Sequence, residues 1–167
     1  MLGVRDDAAL PLLAPCEPSK IICIGLNYVE HVRESLSVAP GATAPPAEPM
    51  FFFKPPSAVI GPGEAIVKPA GLERLDPEGE MALVIGRRAR RVSEAEALSH
   101  VAGVTAFNDV SARDWQKRDN QWSRAKGSDT FAPFGPCIAL GLDPRDLALE
   151  LRVNGELRQQ ARTSAMH

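Results

Sequence analysis

The sequence predicts an α+β fold, rich in short strands with a few short helices. Short apolar, β-branched or aromatic runs recur at Lys20–Gly25, Met50–Phe53, Met81–Ile85, Val104–Phe107 and Cys137–Leu140. Each is strand-sized and bounded by turn residues. Helical signals are brief. Val29, Val32 and Leu36 share a helical face within Val29–Leu36, and Ser93 with Glu96 forms a capping box ahead of Glu94–His100. Finally, Asn154-Gly155 joins two alternating segments, Leu147–Val153 and Glu156–Gln160, which is the strongest short hairpin signal in the chain.

Composition narrows the function classes. The 167 residues suffice for one domain with a real core, and a 44% hydrophobic fraction is that of a globular chain. Nineteen basic and 21 acidic residues give a net charge of -2, which leaves no electrostatic footprint for nucleic acid or an anionic membrane. The one basic run, Arg87, Arg88, Arg90 and Arg91, reads as a solvated turn after a strand. Cys16, Cys23 and Cys137 match no zinc or redox spacing and read as small apolar fillers. No run approaches the roughly 18 apolar residues of a membrane span. The first residues lack the basic and apolar regions of a secretory signal. A cytoplasmic, reducing compartment is expected.

In chain order, residues 1–19 are expected to form an irregular lead-in broken by Pro11, Pro15 and Pro18, and residues 20–167 a single domain. Val38–Pro49 contains five residues of the Pro/Gly type and is a loop, the kind that serves as a lid or binding loop. Ile66 and Val67 are a short strand at most. Gly103 ends the second helix. Ser111–Trp122 is polar and partly helical, and RAKGSDTFAPFGP is loop.

The stretch Leu75–Gly86 holds the chemistry. Glu78 and Glu80 sit two residues apart before an apolar run, so alternation points both the same way. Two adjacent carboxylates repel, more so when partly buried, and a hard divalent cation relieves that cost. Alone, the pair reads more readily as a solvated acidic turn before an ordinary strand. Asp109, at the end of a strand, is a third acid in the same position. His31 and Glu34 are three apart on one helical face, where a carboxylate sets the histidine tautomer; a surface ion pair is the plainer reading. Arg113 and Gln116 also stand three apart, and Lys126 reads as a loop cation.

Six motifs taken together say more: GLNYVEHVRE, FFFKPPSAVIGPG, DPEGEMALVIGRRARRVSEAEAL, FNDVSARDWQ, RAKGSDTFAPFGP and LRVNGELRQ. In this order they resemble the catalytic domain of the fumarylacetoacetate hydrolase family, which includes acylpyruvases, oxaloacetate decarboxylases and hydroxyheptadienedioate isomerases. The resemblance implies a β-rich mixed roll or sandwich and a homodimer. It implies that Glu78, Glu80 and Asp109 ligate Mg²⁺, or Mn²⁺ or Ca²⁺. It makes His31 and Glu34 the general-base dyad and Lys126 the group that polarises a substrate oxygen. Arg113, Gln116, Lys54 and Ser57 are implied at the substrate. The family continues past the position of His167 with further strands and a threonine donor, so the far wall of the pocket is expected to be missing.

These residues suit 2-oxo acids. A divalent metal stabilises negative charge on the oxygens of such a substrate, and Lys126 adds to that stabilisation. His31 taking a proton from water gives hydrolysis of a C–C bond in a β-diketo acid, which is the leading expectation. Taking it from carbon gives isomerisation, and loss of CO₂ from a β-keto acid needs no base. An isomerase or decarboxylase in aromatic-compound catabolism is therefore the alternative, and a metal-binding homologue without catalysis a second one.

Overall fold

A computed structural model describes residues 11–28 and 47–166. His31 and Glu34 lie outside the described residues. The chain is strand-rich with a few short helices in mixed sheets, as expected. Strands β1 (Ile21–Gly25) and β2 (Met50–Lys54) form an antiparallel pair. A four-stranded sheet follows, in the order β3 (Val59–Ile60), β8 (Ala132–Ala139), β6 (Val101–Asn108) and β5 (Gly79–Ile85). Within it β3 and β8 run parallel and the other neighbours antiparallel. Strands β4 (Leu75–Asp76) and β7 (Ser111–Ala112) make a short ladder, and β9 (Ala148–Val153) and β10 (Glu156–Arg162) a hairpin. The helices are α1 (Glu94–Ala97), α2 (Arg113–Arg118) and α3 (Ser123–Gly127).

The local chemistry explains most of these elements. Asn154 and Gly155 both have positive φ, 54° and 83°, as the tight turn between twisted antiparallel strands requires. Ser93 meets Glu96 side chain to side chain at 2.7 Å, and α1 lasts one turn before a 3-10 turn over Leu98–His100. Phe107 and Phe134, opposite each other on β6 and β8, stack with centroids 6.4 Å apart. The compact apolar cluster is small: Leu72, Val110, Ala112 and Phe131, with Leu75 and Trp115 against it.

Three readings are corrected. RAKGSDTFAPFGP is not loop; it contributes α3 and the first half of β8. Pro136 is accommodated where the β6–β8 register is irregular, between Val104 and Ala106, and Pro133 stands opposite Ile60 at the end of the two-residue strand β3. Ile66 and Val67 form no strand. Gly103 does not end a helix but lies inside β6, where β8 approaches so closely that an added Cβ would sit 2.5 Å from the Ala139 carbonyl oxygen. Among the described residues no helix is long and apolar enough to cross a membrane.

Gly103→Ala is expected to force β6 and β8 apart and to lower stability by about 1–3 kcal/mol. Chemical denaturation of the two proteins measures the difference, and equal midpoints would contradict the close approach.

Candidate active site

The acids meet because of strand register. Gly79 pairs with Asn108, so the residue before β5, Glu78, lies beside the residue after β6, Asp109. The Asp109 N–H donates to the Glu78 carbonyl at 2.8 Å, and the Glu78 N–H donates to the Asn108 side chain at 3.0 Å. Glu80, the second residue of β5, follows on the same face as Glu78.

Lys126, on α3 and only 3% exposed, inserts its ammonium between the acids. It donates to Glu78 Oε2 at 2.6 Å, Asp109 Oδ2 at 2.8 Å and Ser111 Oγ at 2.6 Å, which uses all three of its protons. The same ammonium lies 5.1 Å from the centre of the Phe52 ring. Arg113, at the start of α2, donates through Nε to Asp76 at 2.9 Å, through Nη1 to Gln116 at 2.7 Å and through Nη2 to Glu78. Asp76 was missed by the sequence reading. Only its position two residues before Glu78 hinted at it, and Arg74 forks onto it from the outside.

Lys54 is a correction. It was expected at the substrate, but it is 1% exposed because alternation along β2 turns Phe52 and Lys54 inward and Phe51 and Phe53 outward. Its ammonium donates to three backbone carbonyls, Val110 at 3.1 Å, Phe131 at 2.8 Å and Lys126. Asp109 Oδ1 lies 2.7 Å away as the same ammonium's ion-pair partner, and that buried oxygen has no well-aligned hydrogen-bond donor among the described residues. Ser57 is exposed in the 3-10 turn Pro56–Ala58 and makes no hydrogen bond to the acids.

The electrostatics divide the two glutamates. Burial alone would raise the Glu78 carboxyl, but Lys126 and Arg113 outweigh it and hold the group down at about 2. Burial, then the charges of Glu78 and Asp109, push the Glu80 carboxyl up to about 8, against a weaker pull from Lys126. Among the described residues Glu80 has no salt-bridge partner. Nearby, Tyr28 is buried, its hydroxyl has no partner among the described residues, and burial followed by the Glu80 charge pushes it up to about 12. Cys23 is raised to about 12 chiefly by burial and then by Asp109, so its thiol stays protonated and serves as filler.

Among the described residues no three His, Cys, Asp or Glu side chains already stand at metal-ligand spacing, because Lys126 separates Glu78 from Asp109. The donor set nevertheless fits a hard divalent cation. It is all oxygen, one carboxylate lacks a cation, and one buried carboxylate oxygen lacks a donor.

Residues 20–167 match the family described as fumarylacetoacetate (FAA) hydrolase, C-terminal. The chain belongs to the fumarylacetoacetate hydrolase family. A protein of Mycobacterium tuberculosis is 48% identical over 162 residues, which cover 95% of this chain and 59% of that protein. The mitochondrial oxaloacetate tautomerase FAHD2B of Bos taurus is 40% identical over 171 residues, 99% of this chain and 52% of its own length. The crystal structure of 5-carboxymethyl-2-hydroxymuconate delta-isomerase from Mycobacterium smegmatis superposes with a TM-score of 0.83 at 46% identity, covering 93% of this chain and 60% of the other. The chain thus spans a little over half the length of these relatives, and over its own length the fold is theirs.

Removing the Lys54 ammonium leaves three carbonyls and a carboxylate buried without their partner. Lys54→Met is therefore expected to cost about 3–5 kcal/mol, the range for breaking one side of a buried ion pair. Urea unfolding reads this, and a loss under about 1 kcal/mol, the range of an exposed pair, would show that Lys54 is not the brace described.

Proposed function

We propose that the site belongs to a divalent-metal-dependent enzyme that interconverts enol and keto forms, or shifts a double bond, in 2-oxo acids. The observation that carries this is Glu80: a half-buried carboxylate without a cation partner among the described residues, beside Glu78 and an Asp109 oxygen without a hydrogen-bond donor among them. Glu78, Glu80 and Asp109 would hold Mg²⁺ or Mn²⁺. When bound, the ion supplies Lewis-acid stabilisation of negative charge on substrate oxygens. Lys126, already between two of the acids, turns its ammonium to the substrate oxygen that becomes anionic. Arg113 has three of its donor atoms committed within the protein and steadies Glu78, while the Gln116 amide NH₂ stays uncommitted among the described residues and can meet a substrate carboxylate. His31, oriented by Glu34, moves the proton on and off carbon.

Isomerisation is preferred over the C–C hydrolysis expected from the sequence because the two relatives cited above with a named reaction are an isomerase and a tautomerase. Activity on the whole-protein scale, a homodimer and a cytoplasmic setting belong to the same proposal. A homologue that binds metal without catalysis is the other outcome.

The expected result is that Mn²⁺ raises the melting temperature of the full chain and accelerates the conversion of enol to keto oxaloacetate, followed by ultraviolet absorbance. Glu80→Gln is expected to lose both effects. His31→Ala is expected to keep the metal-dependent stabilisation and lose about 10²–10⁴-fold in rate. No stabilisation by Mn²⁺ would overturn the metal site; stabilisation without turnover would leave the binding homologue.

A further inference from the structure

The residue between the two glutamates is held from an unexpected side. Among the described residues strand β5 is an edge of its sheet, paired only with β6. At Gly79 the outward peptide groups are nonetheless satisfied. The Gly79 N–H donates to Gln159 Oε1 at 2.9 Å, and Gln159 Nε2 donates to the Gly79 carbonyl at 2.6 Å. A side-chain amide here makes the two bonds that a neighbouring strand would make. Leu151, the cross-strand partner of Gln159 in the β9–β10 hairpin, closes over the same glycine, with its Cβ 3.1 Å from where a Gly79 Cβ would stand. One cross-strand pair of the hairpin therefore grips one residue of the acidic strand from both sides.

The hairpin is shaped for this. The β9–β10 register shifts between Leu157 and Gln159, leaving Arg158 as the extra residue of a bulge. A bulge re-aims the side chains that follow it, and a one-residue offset swaps the faces of a strand. Without the bulge Gln159 would point away from β5.

We propose that Gln159 is a positioning residue of the acidic site: its amide fixes the Gly79 peptide, and through it the directions in which Glu78 and Glu80 leave the backbone. The proposal rests on the reading of those glutamates as metal ligands, but its geometric core is independent of metal. Gln159 touches no reacting atom; it acts through the backbone of its neighbours. It also explains the glycine, whose missing side chain makes room for Leu151.

The test uses the full chain with Gln159→Met, which keeps length and loses both bonds, and Gln159→Asn, which keeps the amide but is one methylene too short to reach. Thr163→Val is the control: Thr163 ties the base of the same hairpin to Pro144 and Leu147, away from the acids. Hydrogen exchange of the Gly79 amide is expected to speed up about tenfold or more in the Met and Asn variants, the consequence of a lost buried hydrogen bond. Mn²⁺ affinity, by calorimetric titration, is expected to fall about tenfold with it. Thr163→Val is expected to lower the melting temperature and leave Mn²⁺ affinity as it was. If the Gln159 variants only melt earlier, with Gly79 exchange and Mn²⁺ affinity unchanged, the proposal is overturned and Gln159 is a docking residue alone. If the parent chain binds no Mn²⁺, the metal reading fails separately, and Gly79 exchange alone decides: unchanged exchange overturns the positioning role, faster exchange upholds it. Should Gln159→Met fail to fold, Gln159→Asn supplies the same readings.

Discussion

The interior of this chain is braced by buried ammonium groups. Lys54 binds three backbone carbonyls from three segments, the turn after β6, the end of α3 and the approach to β8. One of those carbonyls belongs to Lys126, whose own ammonium then grips Glu78, Asp109 and Ser111. Taking a charged group out of water costs several kcal/mol, so such a group persists only where every proton finds an acceptor. Here each does. The apolar cluster alongside contains few residues, and the polar brace is what joins β2, α3 and the ends of β5 and β6 into one body.

That brace shapes the electrostatics of the acids. Lys126 and Arg113 spend their charge on Glu78, and Lys54 stands against Asp109, so Glu80 is left as the carboxylate without a counter-charge. Two glutamates separated by one residue are thereby driven to opposite ends of the carboxyl range, about 2 and about 8. Such a separation is the electrostatic pattern on which the proposed site rests. Burial, with the Asp109 charge behind it, likewise raises the Cys23 thiol.

Much of this was legible in the residues. Alternation and β-branched runs located β1, β2, β5 and β6, and Asn154-Gly155 located the hairpin, because these signals are local. The nearness of Glu78 and Asp109 was also readable, since residues at the start of one strand and the end of its antiparallel partner lie side by side. What escaped notice depends on partners far away in sequence. Lysine in FFFKPP reads as solvent-facing because lysine is seldom fully buried, and nothing nearby announces three carbonyls from residues 110, 126 and 131. FAPFGP reads as loop because proline opposes ladders, and only the irregular register of β6 and β8 makes room for it. Gln159 was invisible because a bulge at Arg158 reverses the face that simple alternation assigns.

The long reach of the lysine brace also gives the chain a high share of contacts between residues distant in sequence. The Lys54 bonds close separations of 56, 72 and 77 residues, and the Gln159 clamp one of 80. Closing such loops carries an entropy penalty before any bond compensates for it, and folding slows as contacts become more distant in sequence. The β9–β10 hairpin and the β5–β6 pair, local by comparison, form without those closures. The β3–β8 pairing, Val59 opposite Ala132, needs a closure just as long, so the completed sheet, the lysine brace and the glutamine clamp all draw on the same class of distant contact, and the charges of Glu78 and Asp109 are compensated only where those contacts are closed.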